Sequence, residues 1–126
     1  MPKQNTDAAV GWLKKRAEYQ ACYEQGQRFY TTHFVVFVLP KESGFCRAGI
    51  AVSKKVGTAV VRNRYKRVVR AFFRLNASIL PRPIDVVLVV KKQSPKQTDF
   101  HTVCDQLIPF FSSDALKSYL FRRKAL

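Results

Sequence analysis

The apolar positions along this chain change their period several times, and each change marks an element. "AEYQACYE", residues 17–24, sets Tyr19, Cys22 and Tyr23 at the spacing of one helix face, and Gly26 is a natural stop for that helix. "FYTTHFVVFVLP", residues 29–40, is rich in aromatic and β-branched residues and ends at Pro40, which predicts one long strand or two short ones. "KESG" predicts a turn. "FCRAGIAVS", residues 45–53, predicts a strand in which the small residues Ala48, Gly49 and Ala51 let another element approach closely. "IDVVLVVKK", starting at Ile84, is a nearly continuous apolar run, as expected of a strand covered on both faces.

The strongest periodicity lies between the last two of these strands. From Ala59 to Leu75 the residues Val61, Tyr65, Val68, Val69, Phe72 and Leu75 fall on one side of a helix. Strand, helix and strand over residues 47–90 predict a parallel pair joined by a crossover helix in a small α+β sandwich. Downstream, Asp99 or Thr98 is the expected N-cap of a helix whose apolar face includes Phe100, Val103, Leu107 and Ile108, with Pro109 expected to end or kink it. A short helix over residues 114–122 and a basic tail over 122–126 complete the chain.

Length and composition fit one domain over residues 1–126, with residues 1–12 expected to be a flexible N-terminal segment. The charge is more informative. Lys and Arg number 23 against 8 acidic residues, a formal charge of +15. Self-repulsion on that scale calls for a polyanionic partner, and nucleic acid leads. A membrane is the weaker rival, because no apolar run has the length of a spanning helix and the N-terminal stretch lacks the apolar core of a signal peptide. The cytoplasm is the expected compartment. Cys22, Cys46 and Cys104 are far apart and outside metal-ligand spacing, so they are expected to be reduced thiols. His33 and His101 lack sequence neighbours that would suggest a zinc site or a catalytic pair. The acidic residues are dispersed, so neither a catalytic residue nor a protein metal site is expected.

The basic residues concentrate on the helix over 59–75. Arg62, Lys66, Arg70 and Arg74 descend its outer side at four-residue steps, with Asn63 and Arg67 beside them. A solvated helix face normally mixes signs to gain support from pairs four residues apart, and this helix contains no acidic residue. One helix therefore has two tasks: its apolar side covers a sheet, and its basic side awaits a polyanion. Because the apolar side is committed to the sheet, it is not free to enter lipid.

The segment "GIAVSKKVGTAVVRNRYKRVVRAFF" closely resembles the signature of the bacterial ribonuclease P protein family, a strand ending in SKK or AKK followed by RNRxKRxxR on a helix. The likeness runs from "LKKRAEYQACYEQG" through "FRLNASILPRPIDVVLVVKK" to the final helix. Two departures stand out: Tyr19 and Tyr23 occupy positions that are often phenylalanine in the family, and Ala71 stands where a glutamate is common.

The resemblance implies an α+β, two-layer fold in the order α-β-β-β-α-β-α, with an unusual left-handed β-α-β crossover. It implies a subunit of an endoribonuclease whose catalyst is a large RNA, which uses bound Mg2+ to cleave the 5′ leader from precursor tRNA. The expected partners are that catalytic RNA and precursor tRNA, with no membrane or DNA among them. By the same resemblance, Lys54, Lys55, Arg62, Asn63, Arg64, Lys66, Arg67 and Arg70, extended by Arg74, form the surface for the catalytic RNA. Tyr19 and Tyr23, facing Val35 and Phe37 on a strand, form a cleft for the single-stranded leader. A ribosomal or RNA-chaperone protein with no role in cleavage is the alternative with the same charge.

Overall fold

A computed structural model describes residues 10–81 and 83–125, so most of the N-terminal segment (residues 1–9) and the last residue of the tail lie outside the described residues. Among the described residues, five strands form one sheet in the order β1-β4-β5-β3-β2. They are β1 Val10–Trp12, β2 Gln27–Tyr30, β3 Phe34–Pro40, β4 Cys46–Ala51 and β5 Ile84–Val90. Helix α1, Arg16–Gln25, follows β1, while α2, Ala59–Leu75, joins β4 to β5; α3, Phe100–Phe111, and α4, Asp114–Ala125, end the chain. β4 and β5 are parallel neighbours, as the strand–helix–strand pattern predicts, and β3 pairs antiparallel with β5.

β5 lies at the centre and is buried on both faces. One face of the sheet, with Phe34, Val36, Val38, Val86 and Leu88, carries the main core against Tyr65, Val69, Phe72 and Phe73 of α2 and Val103, Leu107, Phe110 and Phe111 of α3. α4 adds Leu116 and Tyr119 to the same core. The other face holds a smaller cluster in which Cys22 of α1 meets Leu13, Leu39 and Val87. The segment over residues 29–40 is two strands, since β2 and β3 form a hairpin across Thr31–His33.

Several expectations change. Val10–Trp12, placed with the flexible segment by sequence, pairs parallel with Cys46–Ala48. Three half-buried residues have too short a pattern to reveal a strand whose partner lies so far along the chain. Pro109 does not end α3, which continues to Phe111. Proline cannot donate to the carbonyl of Asp105, but both residues are exposed, and burial of Phe110 and Phe111 holds the final turn in place. Ile108 is 39% exposed because Val103, Leu107, Phe110 and Phe111 take the core face. Leu75 is also exposed: it stands at the last position of α2, and Phe73 fills the core instead. The C-terminal helix extends to Ala125, so the expected tail is helical over its described part.

Gly26 follows α1 as expected, but for a different reason from a left-handed cap. Its φ is −82°, and a Cβ there would lie 2.6 Å from the carbonyl oxygen of Cys22 and 2.9 Å from that of Val38. Close approach to β3 excludes a side chain.

Candidate nucleic-acid interface

α2 starts where Thr58 Oγ1 accepts from Val61 N at 3.4 Å. Its inner side is anchored at several points: Tyr65 Oη donates to the carbonyl of Pro95, Phe72 stacks on Phe111 with centroids 6.1 Å apart, and Phe73 meets Trp12 edge-on at 6.4 Å. Anchoring one side fixes the other. Asn63, Arg64, Arg67, Arg70 and Arg74 are exposed, and Arg62 and Lys66 are half-buried along the same helix. In the turn before α2, Val56 is buried and its N–H donates to the carbonyl of Ser53 at 3.1 Å, which leaves Lys54 and Lys55 exposed. Among the described residues, none of these cations pairs with a carboxylate: the ion pairs involve only Arg47 and Lys41. The structure therefore brings together the whole basic set named from the sequence, on one helix and its leading turn.

α1 lies on the opposite face of the sheet. Its N-cap, Lys15, has no acceptor side chain, and Glu18 supplies the missing group: its carboxylate accepts from the N–H of Lys14 at 2.9 Å and of Lys15 at 3.0 Å. Arg47 of β4 donates to the same carboxylate at 2.9 Å and grips Asp85 of β5 through Nε and Nη2 at 2.9 and 2.8 Å. The backbone bonds from Lys15 and Lys14, followed by the Arg47 guanidinium, hold the Glu18 carboxyl down at about 2. The bidentate bond to buried Asp85 holds the Arg47 guanidinium firmly in its charged form. This network, which sequence spacing does not signal, pins the start of α1 to the sheet.

With α1 fixed, Tyr19 and Tyr23 line the sheet face, both half-buried. Tyr19 rests on Gly49, where a Cβ would fall 2.7 Å from its ring; the small residue admits the aromatic one. Tyr23 meets Phe37 edge-on at 5.0 Å. Val35 shares the face of Phe37 and is likewise half-buried. Burial, then the neighbouring Tyr19 and Cys22, pushes the Tyr23 phenol up, so it stays neutral at physiological pH. A cation that sequence reading missed, Arg28 of β2, stands 5.5 Å over the Phe37 ring. The four cleft residues named from sequence thus share one face, and two of them are in direct contact.

Burial pushes the Cys22 thiol up to about 11 and the Cys46 thiol up to about 12, which favours the protonated thiol in both. His33 is held in a hydrogen bond between its Nδ1 and Gln106 Nε2 at 2.7 Å. No three His, Cys, Asp or Glu side chains among the described residues are grouped so as to hold a metal ion.

The family model described as Ribonuclease P matches residues 10–113, from the start of β1 to the residue before α4. The chain belongs to the ribonuclease P protein family. Curated relatives agree: the ribonuclease P protein component of Desulfovibrio desulfuricans is 48% identical over 100 residues, covering 77% of each chain. That of Oleidesulfovibrio alaskensis is 43% identical over 77% of this chain and 80% of its own. Among solved structures, the ribonuclease P protein of Thermotoga maritima superposes with a TM-score of 0.71 at 29% identity, covering 79% of this chain and 93% of its own. The Staphylococcus aureus protein gives 0.68 at 31% identity over 76% and 87%. As a member of the ribonuclease P protein family, this chain is a subunit of the tRNA-processing ribonucleoprotein rather than a ribosomal or chaperone protein. The family match ends before α4, whose Leu116 and Tyr119 nonetheless complete the core.

Proposed function

We propose that this protein grips two RNAs at once. The face of α2, with Lys54, Lys55, Arg62, Asn63, Arg64, Lys66, Arg67, Arg70 and Arg74, holds the catalytic RNA. The cleft of Tyr19, Tyr23, Val35 and Phe37 takes the single-stranded 5′ leader of precursor tRNA. The observation that carries this reading is a rigid helix presenting a row of cations with no carboxylate partner among the described residues. Guanidinium forks at fixed spacing engage phosphate oxygens in pairs, and little ordering entropy is lost because the helix is already anchored. An aromatic cleft suits unpaired nucleotides of any sequence, since every base has a face to stack.

Mg2+ belongs to the RNA in this reading, because the described residues do not fit it: their carboxylates are dispersed or already engaged with Arg47. Chemistry then rests with the RNA, and the protein supplies binding and charge neutralisation. The work is cytoplasmic and away from membranes. No helix among the described residues is long and apolar enough to cross a bilayer, and the apolar side of α2 is buried against the sheet.

Reconstitution tests the proposal. Purified protein, ribonuclease P RNA and precursor tRNA are combined across a magnesium titration. The protein alone leaves the substrate intact, while its addition lowers the magnesium needed for correct 5′ maturation. Cleavage by RNA-free, nuclease-free protein, or an unchanged magnesium requirement, would overturn it.

A further inference from the structure

The aromatic surface of the cleft does not stop at Phe37. Side chains alternate along β2, so Phe29 turns into the core against Phe110 and Tyr119, at 5.2 and 5.9 Å, while Arg28 and Tyr30 stand on the α1 side of the sheet. Tyr30 pairs in register with Val35, and Arg28 with Phe37. At 62% exposure, Tyr30 leaves most of its ring open to solvent.

The exposed ring is nonetheless held. Arg28 Nη1 donates to its Oη at 3.4 Å, and Lys91 Nζ lies 5.7 Å from the ring centroid. Lys91 is fixed in turn by donating to the carbonyl of Thr31 at 2.6 Å. The loop after Tyr30 is locked from α3: Gln106 Oε1 accepts from Thr31 Oγ1 at 3.0 Å and from His33 N at 2.8 Å. With its oxygen so used, the Gln106 amide nitrogen is the donor to His33 Nδ1. Neither Arg28 nor Lys91 has an acidic partner among the described residues. Tyr23, Phe37, Arg28, Tyr30 and Lys91 therefore form a continuous row of rings and cations from α1 to the β2 edge.

We propose that Tyr30 is a base-stacking platform that adds a nucleotide-binding position to the leader cleft, with Arg28 and Lys91 meeting the adjoining phosphates. The inference rests on the reading that the cleft holds single-stranded leader. Charge complementarity selects the occupant: an open ring set between unpaired cations matches a strand that alternates bases with phosphates. Because Gln106 already holds the loop and the Thr31 carbonyl already holds Lys91, little freedom is lost there when the strand arrives.

Precursor tRNAs with leaders lengthened one nucleotide at a time are titrated against holoenzyme containing wild-type, Tyr30→Ala, Tyr30→Phe or Tyr19→Ala protein, with thermal melts of each variant. Wild-type affinity rises with leader length to a plateau. Tyr30→Ala reaches its plateau at a shorter leader, and that plateau is lower by roughly fivefold or more, the loss of about one stacked base. Tyr30→Phe follows wild type, because the ring is retained. If Tyr30→Ala matches wild type at every length while Tyr19→Ala still loses leader-dependent affinity, the Tyr30 platform is wrong and the cleft stands. If neither variant shows a leader-dependent loss, the cleft itself is wrong and the platform falls with it. An equal loss on mature and precursor tRNA, or a Tyr30→Phe loss matching that of Tyr30→Ala, also overturns the stacking role.

Discussion

On the α1 side of the sheet, the guanidinium of Arg47 is closed between Glu18 and Asp85; on the α2 side, Arg62, Arg64, Arg67, Arg70 and Arg74 carry the same group with no carboxylate within pairing distance among the described residues. The side chain is identical and its task is opposite. Asp85 is 2% exposed, so its charge requires the Arg47 fork, and that fork joins β4, β5 and α1 into one unit. The α2 arginines lie where water solvates them, so the fold does not depend on their pairing. What distinguishes a structural arginine from a recognition arginine here is whether the fold has already supplied its anion.

Removing the recognition arginines should have the largest effect. The triple change Arg62→Ala, Arg67→Ala, Arg70→Ala is expected to weaken binding to ribonuclease P RNA roughly a hundredfold or more, since charge-assisted contacts contribute about 1.5–3 kcal/mol each. The slope of log affinity against log salt should become shallower by roughly two to three units as counterion release is lost. Melting of the free protein should be unchanged or slightly raised. An unaltered salt slope with the fold intact would place the RNA elsewhere.

The structural arginine should behave in reverse. Arg47→Ala leaves Asp85 buried with only Lys41, 3.8 Å away, and is expected to cost about 2–3 kcal/mol of stability in denaturant titrations. That is below the cost of breaking a fully buried pair, because the Arg47 side chain is 37% exposed. Replacing Asp85 as well, in the pair Arg47→Met, Asp85→Leu, should recover part of the loss. If Arg47→Ala instead keeps its stability and loses RNA affinity, the contrast between the two arginine classes collapses.

How much of this contrast the sequence reveals depends on the range of the interactions. α2 is legible to its end residues because its periodicity is local and strong, and the absence of acidic residues on it marks the basic face directly. The buried β5 strand is legible for the same reason, whereas local pattern leaves residues 29–40 open between one strand and two, and the cap open between Thr98 and Asp99, until pairing and capping bonds decide. The Arg47 network is not legible. Glu18, Arg47 and Asp85 are spread across three elements, and only the register that sets Arg47 beside Asp85 brings them together. β1 and the helix-internal Pro109 share that character, since each is held by burial or pairing that local pattern does not carry. Tyr19 and Tyr23 show an intermediate case: their common face is local, but the Gly49 that seats Tyr19 comes from β4.

The smallest effect concerns pH. Glu18 titrates at about 2 in the folded chain against an ordinary 4.5, so its contribution to stability is complete above 4.5 and is lost as pH falls through about 2. Glu18→Gln should therefore be less stable than the parent above pH 4.5, with the gap closing towards pH 2. Acid-unfolding curves of the two proteins provide the check, and a gap that widens on acidification would reverse the assignment.

The unpaired face of α2 also links folding to supply. Like charges held in a row strain the folded chain until a polyanion binds, and a ligand that binds only the native state stabilises it by about 2.7 kcal/mol at a hundredfold excess over its Kd. By mass action, chains synthesised beyond the available RNA form the less stable population and are the first to open to proteases, a difference that pulse proteolysis with and without RNA would read. The stripe that recognises RNA thereby lets the RNA set how much of the protein persists.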